Sequence, residues 1–401
     1  MAVILPAAAW RTRPGLAELV AALGEGQARF VGGAVRDTLL ELDVADIDVA
    51  TPLPPAQAMA RLQAAGIKVV PTGLAHGTIT AVSAGTVVEV TTLRRDVETD
   101  GRHAVVAYTD DWQEDAARRD FTINALYADP ASGAVHDWFG GLADLADRRV
   151  RFIGDPLRRI AEDHLRILRF FRFHARFGEA VDADGLAACI ARANDLMALS
   201  RERIAAELLK LLVAPGAVAV VRLMVEHAIL RAVLPEIDAA GVQRLAVLAQ
   251  HEAAVGIAPA AIRRLAALLP PEQADAVGAR LKLSNADRKR LAAATAGPGD
   301  EGPHALAYRA GTEGAIDRLL LAGADATPIL GWARPRLPLG GGALVARGLH
   351  KGPAVAAALH QVEDRWVAEG FPAQPRVEAI ADAVVAEAIR AQASASSSGR
   401  S

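Results

Sequence analysis

The sequence predicts an α+β fold: a small N-terminal mixed sheet with flanking helices, followed by an all-helical remainder. Three observations carry this. Of 401 residues, 52% are hydrophobic but only 4% aromatic, with Ala and Leu prominent, a mix that favours helix packed on helix over an all-β design. Between residues 28 and 140, short β-rich runs such as Thr78–Val82 and Val87–Thr91 alternate with short helical stretches. From about residue 156 onward, apolar residues recur at spacings of three and four, as in Ile204–Leu212.

Taken in order, Phe30-Val31 reads as a strand end, Gly32-Gly33 as a turn, and Ala34 onward as a helix start. The alternation of Asp46-Ile47-Asp48-Val49 reads as a strand. Pro54-Pro55 opens an amphipathic helix running to Ala65, Gly66 closes it, and Lys68–Val70 begins the next strand. Residues 158–177 read as one helix, and breakers at Ala214-Pro215-Gly216, Pro270-Pro271, Gly297-Pro298-Gly299 and Pro338–Gly342 mark later helix junctions. The expected division is a head over 1–145, a helical neck over 146–235, a helical body and tail over 236–393, and a disordered Ser-rich end over 394–401.

Charge is nearly balanced, 44 basic against 47 acidic residues, so any polyanion site must be a local patch. One cysteine, Cys189, excludes an internal disulfide and a paired-cysteine metal site. There is no apolar run long enough to span a membrane, and Met1–Trp10 lacks the basic segment of a secretion signal, so a cytoplasmic protein is expected.

The turn Phe30-Val31-Gly32-Gly33-Ala34-Val35-Arg36-Asp37 sets backbone amides and Arg36 where a phosphate chain can lie, although a tight connection explains it equally well. After Gly33 come twelve residues and then Asp46 and Asp48 at i and i+2, so on a strand both acids point to one face. A Mg²⁺ ion, which takes oxygen ligands and keeps waters and substrate phosphates, would relieve their repulsion; a solvated face is the plainer alternative. Glu89 lies within an apolar run, where a carboxylate is costly without a metal or a basic group, so it is either a third acid of the site or a partner of Arg94. Nucleotidyl transfer needs such a set of acids.

Residues 158–177 hold six arginines (158, 159, 166, 169, 172 and 176) against two acids, interleaved with Leu and Phe: the local basic patch. Asp163 and Arg166, three apart on the expected helix, are either a surface ion pair worth a few tenths of a kcal/mol or a fixed acceptor beside a fixed donor. That second arrangement matches the pairing edges of cytosine and adenine and leaves uracil and guanine with unpaired polar groups.

The glycine turn, the spacer and the Asp-x-Asp segment resemble the polymerase-beta-like nucleotidyltransferase superfamily, and further blocks narrow the resemblance to the bacterial class II tRNA nucleotidyltransferase and poly(A) polymerase family. These are Pro71–Thr78, Glu89–Arg94, Arg118-Arg119-Asp120-Phe121-Thr122-Ile123-Asn124-Ala125 and Glu162-Asp163-His164-Leu165-Arg166-Ile167-Leu168-Arg169. The match is close over 28–178, looser through Ser200–Leu212 and Pro235-Glu236, and faint near Gly348–Trp366.

The resemblance implies a polymerase-beta-like head, with Asp46 and Asp48 holding Mg²⁺ and Glu89 completing the acids. It also implies that Gly33, Arg36 and Arg119 contact the nucleotide, that Asp163 and Arg166 select C and A, and that Arg169 and Arg172 neutralise triphosphate. The implied partners are CTP, ATP and the 3′ acceptor end of tRNA, with template-independent addition of C, C and A and release of pyrophosphate. A poly(A) polymerase, a CC-adding enzyme and an inert RNA-binding scaffold are the alternatives. Thr72–Thr78 looks like the block of CCA-adding members, and residues 97–112 occupy the place of the family's flexible loop. His136-Asp137 is not read as a phosphohydrolase pair, since no second His-Asp follows in the helical region. Arg280, Lys282, Arg288, Lys289 and Arg290 read as a solvated face, and no protein partner is identifiable.

Overall fold

β-Branched runs separated by glycine turns pair into a seven-stranded mixed sheet in a computed structural model that describes residues 3–99 and 104–398. Its strands are β1 (Arg29–Val31), β2 (Asp48–Thr51), β3 (Lys68–Gly73), β4 (Thr78–Ser83), β5 (Thr86–Thr92), β8 (Tyr127–Ala128) and β9 (Val135–His136), in the order β3-β4-β5-β2-β1-β8-β9. β2 and β5 run parallel; the other pairs are antiparallel. β6 (Arg94–Thr99) and β7 (Ala104–Tyr108) form a separate hairpin, so the expected loop over 97–112 is largely two strand arms, while Asp100–His103 lie outside the described residues.

The period of two decides which face of the sheet is covered. Ile79 and Ala81 of β4 are buried on the face that packs on α1 (Leu16–Leu23) and α3 (Pro55–Ala64), whose Leu19, Leu23, Ala58 and Leu62 are buried, and their register partners Val90 and Val88 are buried on the same face. The alternate residues of β5, Val87 and Glu89, are exposed. The helix expected over 54–65 is α3, closed by Gly66 at φ 76°.

α2 (Gly33–Leu39) follows the glycine turn, α4 (Trp112–Ala117) follows the hairpin, and α5 (Gly141–Ala146) ends the sheet region. The arginine-rich stretch is two helices, α6 (Pro156–Glu162) and α7 (Leu165–Phe177), rather than the single one expected. Asp163 is extended (φ −151°, ψ 107°), and its carboxylate accepts from the Leu165 N–H at 3.1 Å; this local bond competes with helix continuation. α7 packs on α9 (Arg201–Leu212), which Ser200 caps, with α8 (Ala183–Ala191) between them in the chain and α10 (Ala217–Glu226) after. Phe121, Phe152, Phe170 and Phe173 join the sheet region to α7, with ring centroids 4.9 Å (121–152), 5.5 Å (152–170) and 5.3 Å (121–173) apart. Expected head and neck together make one unit, Met1–Ala239.

The second unit, Ala240–Ser401, is helical. In it Glu252 bonds Arg263 and Arg264, and Arg263 also reaches Asp317 at 3.2 Å; all four side chains are buried. Arg290 pairs with Asp317 at 2.7 Å and Arg288 with Asp275 at 2.9 Å, so the run expected to be solvated is partly engaged in ion pairs. A second core gathers Tyr308, Leu344, Val362, Trp366, Val377 and Ile380. The last helix, Gln374–Ser398, extends into the segment expected to be disordered: adding residues to a formed helix costs far less than starting one.

Candidate active site on the head sheet

Parallel pairing of β2 with β5 sets Asp48 opposite Glu89, and the Glu89 N–H donates to the Ile47 carbonyl at 3.0 Å. Asp46 is exposed and lies just ahead of β2 rather than on it. Glu89 also departs from expectation: it stands on the open face of the sheet, not in an apolar interior. Burial, and then the neighbouring charges of Glu89 and Asp46, push the Asp48 carboxyl up to about 6, with Arg119 and Arg36 opposing them. Such crowding suits a cation. Among the described residues, no three His, Cys, Asp or Glu enclose a metal position by themselves.

Gly32 takes φ 67° and ψ −119°, open to glycine alone at reasonable cost, and a Cβ there would stand 3.5 Å from an Arg119 guanidinium nitrogen. Gly33 begins α2. Arg36, a residue expected to meet the nucleotide, is buried beneath this turn: it bonds Asp37 at 2.7 Å and the Asn124 Oδ1 at 2.5 Å and lies over the Phe177 ring at 4.3 Å. A guanidinium this deep needs such partners.

Arg119 donates to the Tyr127 hydroxyl at 2.9 Å and to Asp115 at 3.2 Å, keeping a fifth of its side chain exposed (20%). Burial works against an ionised Asp115, but Arg119, Arg118 and the Tyr127 hydroxyl outweigh it and hold the carboxyl down to about 2. The Arg94 N–H also bonds Asp115, at 3.1 Å, which ties the base of the β6–β7 hairpin to Arg119. Arg169 bonds Asp120 at 2.8 Å, Asp120 in turn accepts from Asn124 at 3.0 Å, and Arg172 bonds Glu207 on α9 at 2.5 Å. Against its burial, Asp120 is kept ionised by Arg169.

Asp163 and Arg166 do not pair, and they do not share a helix. Asp163 receives Arg203 from α9 at 2.9 Å, and Arg166 bonds Glu162 at 2.6 Å and the Arg159 carbonyl at 2.8 Å. The expected winding over 163, 166, 169 and 172 therefore holds only from Arg166 on. Sequence reasoning missed Asp115, Tyr127, Asp120, Asn124, Arg203 and Glu207. One signal was present: six arginines with two local acids require carboxylates from elsewhere, and Asp120 sits beside Arg118-Arg119 in the sequence.

Carboxylates on adjacent parallel strands, an arginine-walled flank and a glycine turn form an arrangement suited to nucleotidyl transfer. Residues 28–151 match the Poly A polymerase head domain, and residues 180–240 match a family described as probable RNA and SrmB- binding site of polymerase A. The chain is 47% identical over 191 residues to CCA tRNA nucleotidyltransferase 1, mitochondrial, of Homo sapiens, covering 47% of this chain and 44% of that one. It is 39% identical over 213 residues to the CCA-adding enzyme of Anoxybacillus flavithermus, covering 53% and 52%. The chain thus spans about half the length of the curated relatives it matches. In structure it is similar to the Bacillus stearothermophilus CCA-adding enzyme in complex with CTP, with TM-score 0.68 and 28% identity over 93% of this chain and 92% of that one. The Thermotoga maritima CCA-adding enzyme complexed with tRNA shares the fold, with TM-score 0.64 and 19% identity over 92% and 94%. Over residues 28–240 the chain is thus similar to the tRNA nucleotidyltransferase and poly(A) polymerase family.

Proposed function

We propose that this protein adds C, C and A in turn to the 3′ end of tRNA, taking CTP and ATP, using no template and releasing pyrophosphate. The observation that carries this is the register of Asp48 with Glu89, two acids crowded beside Arg119 on an open sheet face. Asp46 and Asp48 are the residues that would hold Mg²⁺, with Glu89 beside them. Bound there, the ion would lower the pKa of the attacking hydroxyl and neutralise charge on the leaving pyrophosphate.

The remaining work falls to the chain's own groups. Arg119, oriented by Asp115 and Tyr127, contacts the nucleotide near its ribose or phosphates beside the Gly33 turn; Arg36 supports that turn from below through Asn124. Arg169 and Arg172, aligned by Asp120 and Glu207, face the triphosphate. Asp163 and Arg166 flank the α6–α7 junction. To read a base edge, Asp163 gives up Arg203 and Arg166 gives up Glu162, so acceptor and donor then meet cytosine or adenine together.

We assign catalysis to residues 1–145, nucleotide selection to 146–235 and tRNA binding to 236–393. The compartment we assign is the cytoplasm, which suits the buried, unpaired Cys189; no described helix is long and apolar enough to cross a membrane. The test is incorporation of each labelled NTP, with Mg²⁺, into a tRNA lacking its last three nucleotides, with products sized to one nucleotide. Two C additions, one A and a stop are expected, and Asp46→Ala abolishes them; undiminished CTP incorporation by that variant overturns the assignment. A long A ladder without C would make the protein a poly(A) polymerase, and a stop after two Cs a CC-adding enzyme.

A further inference from the structure

The face of the sheet that carries Asp48 and Glu89 continues past them onto β4 and β3. Register sets Thr80 opposite Glu89 and Thr78 opposite Thr91, so all three threonines share the Glu89 face. Their hydroxyls form two pairs: Thr72 Oγ1 lies 2.8 Å from Thr80 Oγ1, and Thr78 Oγ1 lies 3.0 Å from Thr91 Oγ1. The opposite face is the one buried on α1 and α3; on this face Val87 is 55% and Val70 38% exposed. Among the strand residues here the charges are Glu89 and, at the far edge, Lys68.

Displacement at a phosphorus requires attacking and leaving oxygens roughly in line. The cations of the site stand to one side of Asp48: Arg119 is bonded to Tyr127 on β8, Arg36 follows β1, and Arg169 is reached through Asp120 in the segment leading to β8. Pyrophosphate leaves toward that side, so the attacking hydroxyl comes from the other, where β5, β4 and β3 follow one another. The strand bearing that hydroxyl then crosses the threonines, which extend about 10 Å from Glu89 over two strand spacings.

We propose that this face is the track for the last ribonucleotides of the RNA being extended, with Thr72, Thr78, Thr80 and Thr91 bonding ribose 2′-hydroxyls. The inference rests on the nucleotidyl-transfer reading above. Ribose suits the row better than phosphate does, because the described residues of β3, β4 and β5 beside the four hydroxyls include no cation but Lys68 at the far edge, the Arg94 guanidinium is taken by the His76 carbonyl, and Glu89 repels an anion. Each hydroxyl pair consumes one O–H and leaves one free, together with unused lone pairs, so the row both donates and accepts, as a 2′-hydroxyl does.

The test compares two tRNA primers lacking their last nucleotides, one all-ribose and one 2′-deoxy at its two final residues, both ending in a 3′-hydroxyl. Wild type is expected to favour the ribose primer in kcat/KM by about 2- to 10-fold per hydroxyl bond lost. Thr72→Val with Thr80→Val, isosteric changes at one exposed and one half-buried strand position, brings that ratio close to one by raising KM for the ribose primer, while KM for CTP stays put. Thr72→Ser with Thr80→Ser keeps the ratio. A valine variant that is folded by thermal melting and still discriminates as wild type does overturns the track alone, as does a wild type indifferent to the 2′-hydroxyls. A wild type that incorporates nothing into any RNA overturns both this inference and the function on which it rests.

Discussion

Asp48 bears a cost that its fold does not require. Its folded carboxyl titrates near 6 against an ordinary 3.8, so the folded chain holds that proton more tightly than the unfolded one. Stability from this group therefore falls as pH rises from about 4 to 6 and stays low above it. In chelator at pH 7, Asp48→Asn is expected to raise the urea midpoint by the equivalent of at most about 3 kcal/mol while abolishing nucleotide incorporation. The gain should be absent at pH 3; equal midpoints at pH 7 would show that burial and the nearby charges of Glu89 and Asp46 do not penalise the ionised Asp48. Asp115 has the opposite sign. Held down to about 2, its carboxylate contributes stability at neutral pH that is lost as pH falls from about 3.8 toward 2. Asp115→Asn should thus destabilise the protein at pH 7 and make little difference near pH 2, in paired denaturation curves. At this scale, Asp46, Asp48 and Glu89 were legible as neighbouring acids because residue type and spacing carry that information. The partners of Arg119 were not, since Asp115 and Tyr127 converge on it from different elements.

At the scale of elements, α7 joins what the sheet exposes to what the helices bury. Phe170 is fully buried and packs against Phe152, Phe121 and Phe171. Phe170→Ala should cost about 3–5 kcal/mol of stability in urea unfolding. A loss below 1 kcal/mol would mean that the aromatic cluster does not bind α7 to the sheet region. Strands β4 and β5 and helix α3 were legible because their periods of two and 3.6 are uninterrupted. The break between α6 and α7 was not: Leu and Arg keep a helical rhythm across it, and what stops the helix is the Asp163 carboxylate, occupied by the Leu165 N–H and Arg203. Glu89 was misplaced for a related reason, since an apolar run looks alike whether one face of its strand is covered or both.

At the scale of the whole molecule, the second unit is organised around buried charge as well as apolar packing. Glu252 accepts from two guanidiniums, and both Glu252 and Asp317 are essentially without exposure (1% and 0%). Glu252→Ala leaves buried cations short of a partner and is expected to cost about 3–5 kcal/mol, read as a lowered urea midpoint. An unchanged midpoint would place that network in solvent. Sequence reading assigned basic residues of this region to a solvated face because a charge run usually forms one; Asp317 and Glu313 arrive from a helix more than 20 residues away, a pairing that local spacing does not show.

The amino-acid sequence by itself determined the α+β class and, in the sheet region, strands β4 and β5 and helix α3, and it singled out candidate acids and arginines, because period, turn residues and motif spacing are local properties of a chain. Tertiary structure decided which charges meet: Arg36 with Asn124, Asp163 with Arg203, Arg172 with Glu207. Those pairs join residues 88, 40 and 35 positions apart, and their geometry is set by how helices pack on a sheet that only the folded chain possesses. The open threonine face belongs to the same class, since the parity that aligns Thr80 with Glu89 exists only once β4 and β5 are paired in register.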